Sequence, residues 1–319
     1  MFIMADVNKR KLIIDTDCGS DDAMAIAMAL RDESCEILMF STVSGNVRAD
    51  QAASNLLTTI RRAGTYAPKV YIGSMEMMKR DFVGAEDTHG KDGMGDLGLV
   101  DYSLKPEKED GIDMLLKTLE ENEDRSIDLI TLGPLTNIAK AILRKPETMR
   151  KIRRVISMAV TDKAGGNVTD YAEFNVWADA EAFKTVIGFG FEDLTLVAWD
   201  ASLGDAVLRK EDIEKIRELS DLGKFCIDIN ISLLKLNQAR FHEDILDMAD
   251  PAAMFAALCP EAIRECEEYV LDVDVSEGER YGYVDIDSHH KKQSGPKAKV
   301  CTKLDADLYK KYTMEHLKG

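Results

Sequence analysis

The sequence predicts an α/β fold with an open, mostly parallel central sheet and helices on both faces. Two observations support this prediction. Short apolar runs of strand length alternate with longer segments in which apolar residues recur at helical spacing. The first 72 residues already follow the order strand, helix, strand, helix, strand, which is typical of β/α units in a Rossmann-like sheet.

The opening segment concentrates acidic residues between the first strand and the first helix. Residues 11–14 are predicted to form a buried strand, and residues 23–30 the apolar body of a helix with Ser20 as its N-cap. Four of the eight positions between these two elements, 15–22, are aspartates: Asp15, Asp17, Asp21 and Asp22. Two unit charges about 4 Å apart repel by about 4 kcal/mol at an effective dielectric of about 20, whereas a helix N-terminus stabilises a carboxylate by only about 0.3–1 kcal/mol.

Several interpretations of these aspartates stay open at this point. A hard cation such as Ca²⁺ or Mg²⁺ would offset the repulsion, because carboxylate oxygens are its preferred ligands. Alternatively, some of the groups are protonated or point apart, or they bond backbone amides and cap the helix. An EF-hand loop requires an oxygen ligand at its fifth position and a glycine at its sixth. It is excluded because Gly19 and Ser20 occupy these two positions here. A haloacid dehalogenase-type phosphatase also carries a D-x-D pattern after its first strand. This sequence lacks the hydroxyl-bearing residues that usually follow that pattern.

The remaining elements continue the same alternation. Further strands are predicted at 35–43, 69–72, 127–132, 155–160, 194–199, 268–275, 281–287 and 299–304. Helices are predicted at 47–63 and 110–122, from 135, from about 179, within 204–240, from 250 with Pro251 at the first helical position, and at the end of the chain. The acidic, Gly-rich loop 81–105 is predicted to be functional or mobile. No composition shift marks a boundary, so residues 1–319 are predicted to form a single domain.

Composition excludes several partners. The formal charge of −17 disfavours a nucleic acid polymer, whose phosphates require clustered Lys and Arg. No apolar run is long enough to span a membrane, which predicts a soluble chain. The six cysteines are scattered and form no C-x-x-C pair, which predicts reduced thiols and a cytoplasmic location.

Several motifs occur in one order along nearly the whole chain. They are DTDCGSDDAMA at 15–25, HGKDGMG at 89–95, LGPLTNIA at 132–139, AEFN at 172–175 and ADP at 249–251. Together they resemble the inosine-uridine nucleoside hydrolase family. The resemblance implies the nucleoside hydrolase fold, a small ribonucleoside as substrate, one bound Ca²⁺, and a homodimer or homotetramer. The implied reaction is hydrolysis of the N-glycosidic bond to a free base and ribose, for nucleoside salvage.

The resemblance also implies roles for individual residues. Asp17, Asp22 and Asp250 would bind Ca²⁺ through their carboxylates, and Leu132 through its backbone carbonyl. Asp17 would also be the general base that takes a proton from the Ca²⁺-bound water.

A second set of residues would bind the sugar. By the same resemblance, Asp21, Asn46 and Asn175 would contact the 2′ and 3′ hydroxyls and the water, and Asn167 and Glu173 the 5′ hydroxyl. His89 is a further candidate for substrate binding. Three of these residues have an alternative interpretation: Asn46 as a turn residue, Glu173 as the partner of a surface Lys, and His89 as a solvated loop residue.

The chain departs from the family pattern on the leaving-group side. Many members carry a His directly before the aspartate matched by Asp250, and it is thought to protonate the base; here that position is Ala249. Another residue could replace it (His242, Asp247, Asp244 or Tyr171), or Trp177 could stack on the base. The change points to a modified or unusual base, for example a 7-deazaguanine nucleoside of the queuosine type. The alternative functions are a nucleoside- or ribose-binding protein on a degenerate hydrolase scaffold, and the phosphatase.

Overall fold

The computed structural model describes residues 9–289, 291, 292 and 294–319, and its architecture confirms the predicted fold class. Nine strands form one mostly parallel sheet in the order β10-β9-β11-β6-β5-β4-β1-β2-β3, and β7 pairs with β8 apart from it. The strands are β1 (Arg10–Thr16), β2 (Cys35–Thr42), β3 (Lys69–Ile72), β4 (Ile127–Thr131), β5 (Arg154–Met158), β6 (Leu194–Val197), β7 (Leu208–Arg209), β8 (Ile245–Leu246), β9 (Ile263–Val273), β10 (Val284–Ile286) and β11 (Lys297–Leu304).

Helices cover both faces of the sheet. They are α1 (Ser20–Arg31), α2 (Ala49–Ala63), α3 (Glu86–His89), α4 (Gly111–Glu120), α5 (Thr136–Arg144), α6 (Pro146–Met149), α7 (Phe174–Ala178), α8 (Ala180–Phe189), α9 (Lys210–Leu219), α10 (Asp221–Asp228), α11 (Ile231–Phe241), α12 (Ala249–Leu258) and α13 (Ala306–Leu317). No helix in the described part of the chain is long and apolar enough to cross a membrane.

The strand order creates a switch point between β1 and β4. The chain first builds β1, β2 and β3 in one direction and then returns to place β4 on the other side of β1. The loops that follow these two strands therefore diverge to opposite directions, and open α/β sheets bind their ligands in the crevice left there. The aspartates of the opening segment follow β1, and Leu132 follows β4.

Alternating side chains of the central strands fill two separate cores. Leu12 and Ile14 pack into the layer that contains α1, α2, α12 and α13, whereas Ile13 packs into the layer that contains α4, α5 and α8. Helix α1 is buried from Ser20 to Leu30, which explains its Ala- and Met-rich composition. Because α1 packs against α12, the first turn of α12, which contains Asp250, is brought to the end of β1.

Three local predictions were wrong in detail. Gly19, rather than Ser20, is the N-cap of α1, and Ser20 begins the helix. Helix α12 begins at Ala249, so Pro251 is its third residue, still within the first turn where backbone N–H groups lack intrahelical partners. The strand predicted at 281–287 is confined to β10, whereas β9 starts at Ile263, where it extends along β11.

Candidate active site

A cavity of about 870 Å³ opens at the carboxyl ends of the central strands. Most of the side chains that the sequence singles out line it: Asp21, Asn46, His89, Leu132, Asn167, Glu173, Asn175, Trp177 and Asp250. The fold thus brings together residues that are more than 200 positions apart in the sequence. Asp17 and Asp22 are fully buried directly beneath this group.

Asp15 supports the site from inside the sheet. Its carboxylate accepts hydrogen bonds from Ser41 on β2 and from Asn137 Nδ2 on α5, the latter at 2.7 Å. Its backbone carbonyl accepts from the N–H of Leu132 at 2.9 Å, which ties the end of β1 to the loop after β4. Burial raises the pKa of Asp15 to about 7, although both side-chain hydrogen bonds act against this increase.

Asp17 is held at the floor of the site with one oxygen fixed and one unpaired. Its Oδ2 accepts from the backbone N–H of Asn46 at 2.7 Å. Its Oδ1 is buried and has no hydrogen-bond partner among the described residues. A buried, unpaired carboxylate oxygen is costly, so its presence is evidence that a bound group completes this position.

Three further carboxyl groups converge on one another. One oxygen each of Asp21, Asp22 and Asp250 lies within 4.8 Å of the others. With their oxygens this close, ionised Asp22 and Asp250 carboxylates repel each other unless a proton or a cation lies between them. Since all of these donors are oxygens, the set fits a hard divalent cation such as Ca²⁺.

Burial and mutual repulsion explain the electrostatics of this cluster. Burial raises the pKa of Asp17 and of Asp250 well above the usual range, and in both cases the negative charge of Asp22 adds to the increase. The pKa of Asp22 is raised mainly by burial and then by Asp21. A bound cation would reverse this balance, because its positive charge favours the ionised carboxylates.

Asn46 and His89 brace the carboxylates from the side. Asn46 Nδ2 donates to Asp22 Oδ2 at 3.1 Å, and the Asn46 backbone N–H donates to Asp17 Oδ2. Asn46 therefore links two acidic groups and is more than a turn residue. His89 is 5% exposed, and its Nδ1 lies 2.9 Å from Ser20 Oγ and 3.7 Å from an Asp21 oxygen. Burial lowers the pKa of His89 to about 4, so the ring is neutral near pH 7. His89 is therefore a buried wall residue and not a solvated one.

Glu173 and Asn175 form the wall beside β5. Glu173 is the N-cap of α7 and accepts backbone N–H bonds from Asn175, Val176 and Val160 at 2.8–3.2 Å. Burial raises its pKa to about 7, and no surface Lys pairs with it among the contacts of the described chain. Asn175 Nδ2 donates to the Leu132 carbonyl at 2.7 Å and to the Met158 carbonyl at 3.1 Å, which fixes the amide at the mouth of the switch point.

Asn167 has a structural contact in addition to its place in the lining. Its Oδ1 accepts from the backbone N–H of Phe174 at 2.9 Å, which fastens the loop after β5 to the start of α7. The roles predicted for Asp17, Asp21, Asp22, Leu132 and Asp250 stay predictions, and of these groups the carboxyls of Asp21, Asp22 and Asp250 lie within 4.8 Å of one another.

Sequence reasoning missed most of the opposite wall of the cavity. It is formed by α11, the segment after it and Trp199. Its other residues are Lys235, Leu236, Asn237, Arg240 and Asp247. Trp199 directly follows the region of β6, so the strand-end rule could have flagged it. Helix α11 carries no local signal of this kind, because only its packing against α3 places it over the site. Of the four residues considered as substitutes for the missing His, Asp247 lines the cavity.

Comparisons with known proteins agree with this geometry. The sequence model of the family described as inosine-uridine preferring nucleoside hydrolase matches residues 12–311. The pyrimidine-specific ribonucleoside hydrolase RihB of Escherichia coli is 29% identical over 98% of both chains. Curated relatives of higher identity are matched over little more than half of their length; uridine nucleosidase 1 of Arabidopsis thaliana, for example, is 38% identical over 59% of this chain and 55% of that protein. The structure of the plant nucleoside hydrolase PpNRh1 superposes with a TM-score of 0.90 at 26% identity, covering 97% of this chain and 99% of that one.

Proposed function

The chain belongs to the inosine-uridine preferring nucleoside hydrolase family, and on this premise we propose that it hydrolyses the N-glycosidic bond of a ribonucleoside to a free base and ribose. One observation carries the proposal. Asp17, with its unpaired Oδ1, lies near enough to Asp22 and Asp21 for their charges to raise its pKa, and the carboxyls of Asp21, Asp22 and Asp250 converge at a cavity large enough for a nucleoside. The match of residues 12–311 to the nucleoside hydrolase family favours this reaction over that of a phosphatase.

Ca²⁺ is the cation we assign to the floor of the cavity. Asp17, Asp22, Asp250 and the Leu132 carbonyl would hold it, with Asp21 at the edge of the set. When bound, Ca²⁺ supplies positive charge that offsets the carboxylates and acidifies a neighbouring water.

Asp17 acts as the general base in this proposal. The hydrogen bond from Asn46 fixes one of its oxygens, so the other is free to accept a proton from the attacking water. Its lack of solvent contact keeps competing water away from that oxygen.

The amide and carboxyl wall binds the sugar. Asp21, Asn46 and Asn175 reach the 2′ and 3′ hydroxyls, Asn167 and Glu173 the 5′ hydroxyl, and His89 closes the side of the site. The fixed orientations of Asn175 and Glu173 support this role, because a preorganised wall loses little entropy when it binds a polar ligand. Their negative and polar groups also suit the positive charge that grows on the ribose during cleavage.

The identity of the base is the finer part of the proposal. Ala249 removes the usual acid, which supports a modified or unusual base such as a 7-deazaguanine nucleoside of the queuosine type. The names of similar proteins span pyrimidine-specific and purine-preferring hydrolases, so they favour neither class. We also propose a homodimer or homotetramer, testable by analytical ultracentrifugation, and a cytoplasmic location, which the six free cysteines support.

The test is a panel of common and modified ribonucleosides assayed for reducing sugar. We expect turnover of at least one nucleoside, with loss of activity in a chelator, recovery with Ca²⁺, and loss in Asp17→Ala. Activity that survives both chelation and the substitution would refute the proposed chemistry. Calorimetric binding of a nucleoside without any turnover would instead support the binding-protein alternative.

A further inference from the structure

Cleavage of an N-glycosidic bond creates a negative charge on the departing base, and the cavity must neutralise it. On the basis of the proposed function, we propose that Asp247 is the catalytic residue that donates a proton to this base. Asp247 lies between β8 and α12 and lines the same cavity as Asp21 and Asp250. The sugar wall occupies the side formed by α7 and the loops after β1 and β2, which leaves the α11 side, with Asp247, for the base.

The Asp247 carboxyl is held in a fixed orientation. Asn237 Nδ2 on α11 donates to its Oδ1 at 2.7 Å, and Asn237 is itself 2% exposed and anchored to the Ile245 carbonyl at 3.1 Å. The Asn237 donor thus occupies Oδ1, so that an acidic O–H would be carried by Oδ2.

The surroundings of Asp247 favour its protonated form. Burial raises its pKa, and this outweighs the opposing effects of Asn237, Trp199 and the charge of Arg240 on α11. Across the cavity, the negative charge of Asp247 raises the pKa of Asp21 on α1, so the two carboxyl groups repel each other when both are ionised. An ionised carboxylate beside the developing negative charge on the base would oppose the reaction, whereas a neutral carboxyl can donate a proton to the base.

Other groups that border the cavity are poorer donors. His89 is neutral near pH 7 because its pKa is lowered to about 4 by burial, and its Nδ1 is engaged by Ser20. Lys235 and Arg240 are exposed on α11 and can only contribute a diffuse positive charge. Asp244 bonds Gln238 and is not part of the lining.

The protons balance over one turnover. The C1′–N bond breaks with its electron pair going to the base, which takes the proton from Asp247. The water adds its oxygen to C1′ and gives its proton to Asp17. Both carboxyl groups then return to their starting states by exchanging one proton with solvent in opposite directions, so that the net reaction consumes one water.

The experiment compares two leaving groups in Asp247→Asn. Asparagine keeps an acceptor for Asn237 and retains an N–H donor, but it cannot transfer a proton. For the nucleoside that the wild type hydrolyses fastest, we expect kcat to fall by about 10²–10⁴-fold, the usual range for general acid catalysis. p-Nitrophenyl β-D-ribofuranoside, whose leaving group is stable as an anion, should be hydrolysed at nearly the wild-type rate.

The controls separate this inference from the proposed function. Asp244→Asn, the same change three residues earlier, should leave both substrates unaffected, and a melting curve should confirm that Asp247→Asn is folded. An equal loss on both substrates, or no loss on either, would overturn the role of Asp247 while leaving the hydrolase intact. A wild-type chain that cleaves neither substrate would overturn the proposed function and this inference with it.

Discussion

Gly45 lies so close to Asp17 that a Cβ atom at this position would come within 2.1 Å of Asp17 Oδ2. On the other side of the same carboxylate, a Cβ at Gly133 would lie 2.7 Å from Oδ1. The two glycines follow β2 and β4, the neighbours of β1. The motif around each glycine therefore serves a steric purpose, because it makes room for the Asp17 carboxylate between two loops.

Gly45→Ala should disrupt the site strongly, although it adds only one methyl group. Asp17 cannot move without losing its bond from Asn46, so we expect a loss of about 1–3 kcal/mol in stability and a large loss of kcat. Gly188→Ala is the matched control, since a Cβ there meets nothing within 4 Å. That helical, exposed position should gain about 0.5–1 kcal/mol. Thermal melts and initial rates of the two variants test this prediction. Equal changes in melting temperature and rate for both variants would contradict the steric argument.

Ca²⁺ should stabilise the fold, and more so as the pH rises. Burial raises the pKa of Asp21 from 3.8 to about 6 and also raises the pKa values of Asp22 and Asp250. In the metal-free chain these raised values contribute stability that is complete below about pH 4 and is lost as the pH rises through the folded-state pKa. Ca²⁺ replaces the same protons, so its effect must grow over this window.

The measurement is the shift in melting temperature on adding excess Ca²⁺ at about pH 5 and about pH 7. Each proton displaced should add about 1.4 kcal/mol of Ca²⁺ stabilisation per pH unit. The effect should vanish in Asp250→Asn, which removes one carboxylate from the cluster. A shift that is independent of pH, or larger at the lower pH, would contradict the assigned ligands.

Far from the cavity, Asp128 should be important for stability but not for catalysis. Its buried carboxylate accepts from Arg153 Nε and Nη2, both at 2.6 Å, and from Arg154 Nε at 2.9 Å. Breaking a buried pair costs about 3–5 kcal/mol, but the Arg153 side chain is 40% exposed, so we expect about 2–3 kcal/mol for Asp128→Asn. Urea unfolding measures this, with kcat of the folded variant unchanged.

Asp193→Asn provides the comparison for that prediction. Asp193 pairs with Lys299 at 2.9 Å on the surface, where both side chains are exposed. Its loss should cost at most about 1 kcal/mol. If the two substitutions were equally mild, burial would not be what makes the Asp128 cluster stabilising.

Local patterns were sufficient for most of the framework. The alternation of strand and helix periods predicted the parallel part of the sheet, because those periods depend on which side chains face a core. It placed Lys69–Ile72 at its observed bounds. It failed at Ser20, because the bond between Ser20 and His89 joins residues 69 positions apart and no local cap preference includes such a contact.

The sequence by itself determined the acidic floor and its chemistry. Four aspartates after the first strand require compensation wherever that strand lies, since the repulsion is local. Only the tertiary structure decided which groups share the cavity with them. It buried His89 against Ser20, made Glu173 a helix cap, and brought Asp247 and α11 to the opposite wall. These placements follow from the packing of α1 on α12 and of α11 on α3, and such long-range contacts leave no periodic trace in the residues that make them.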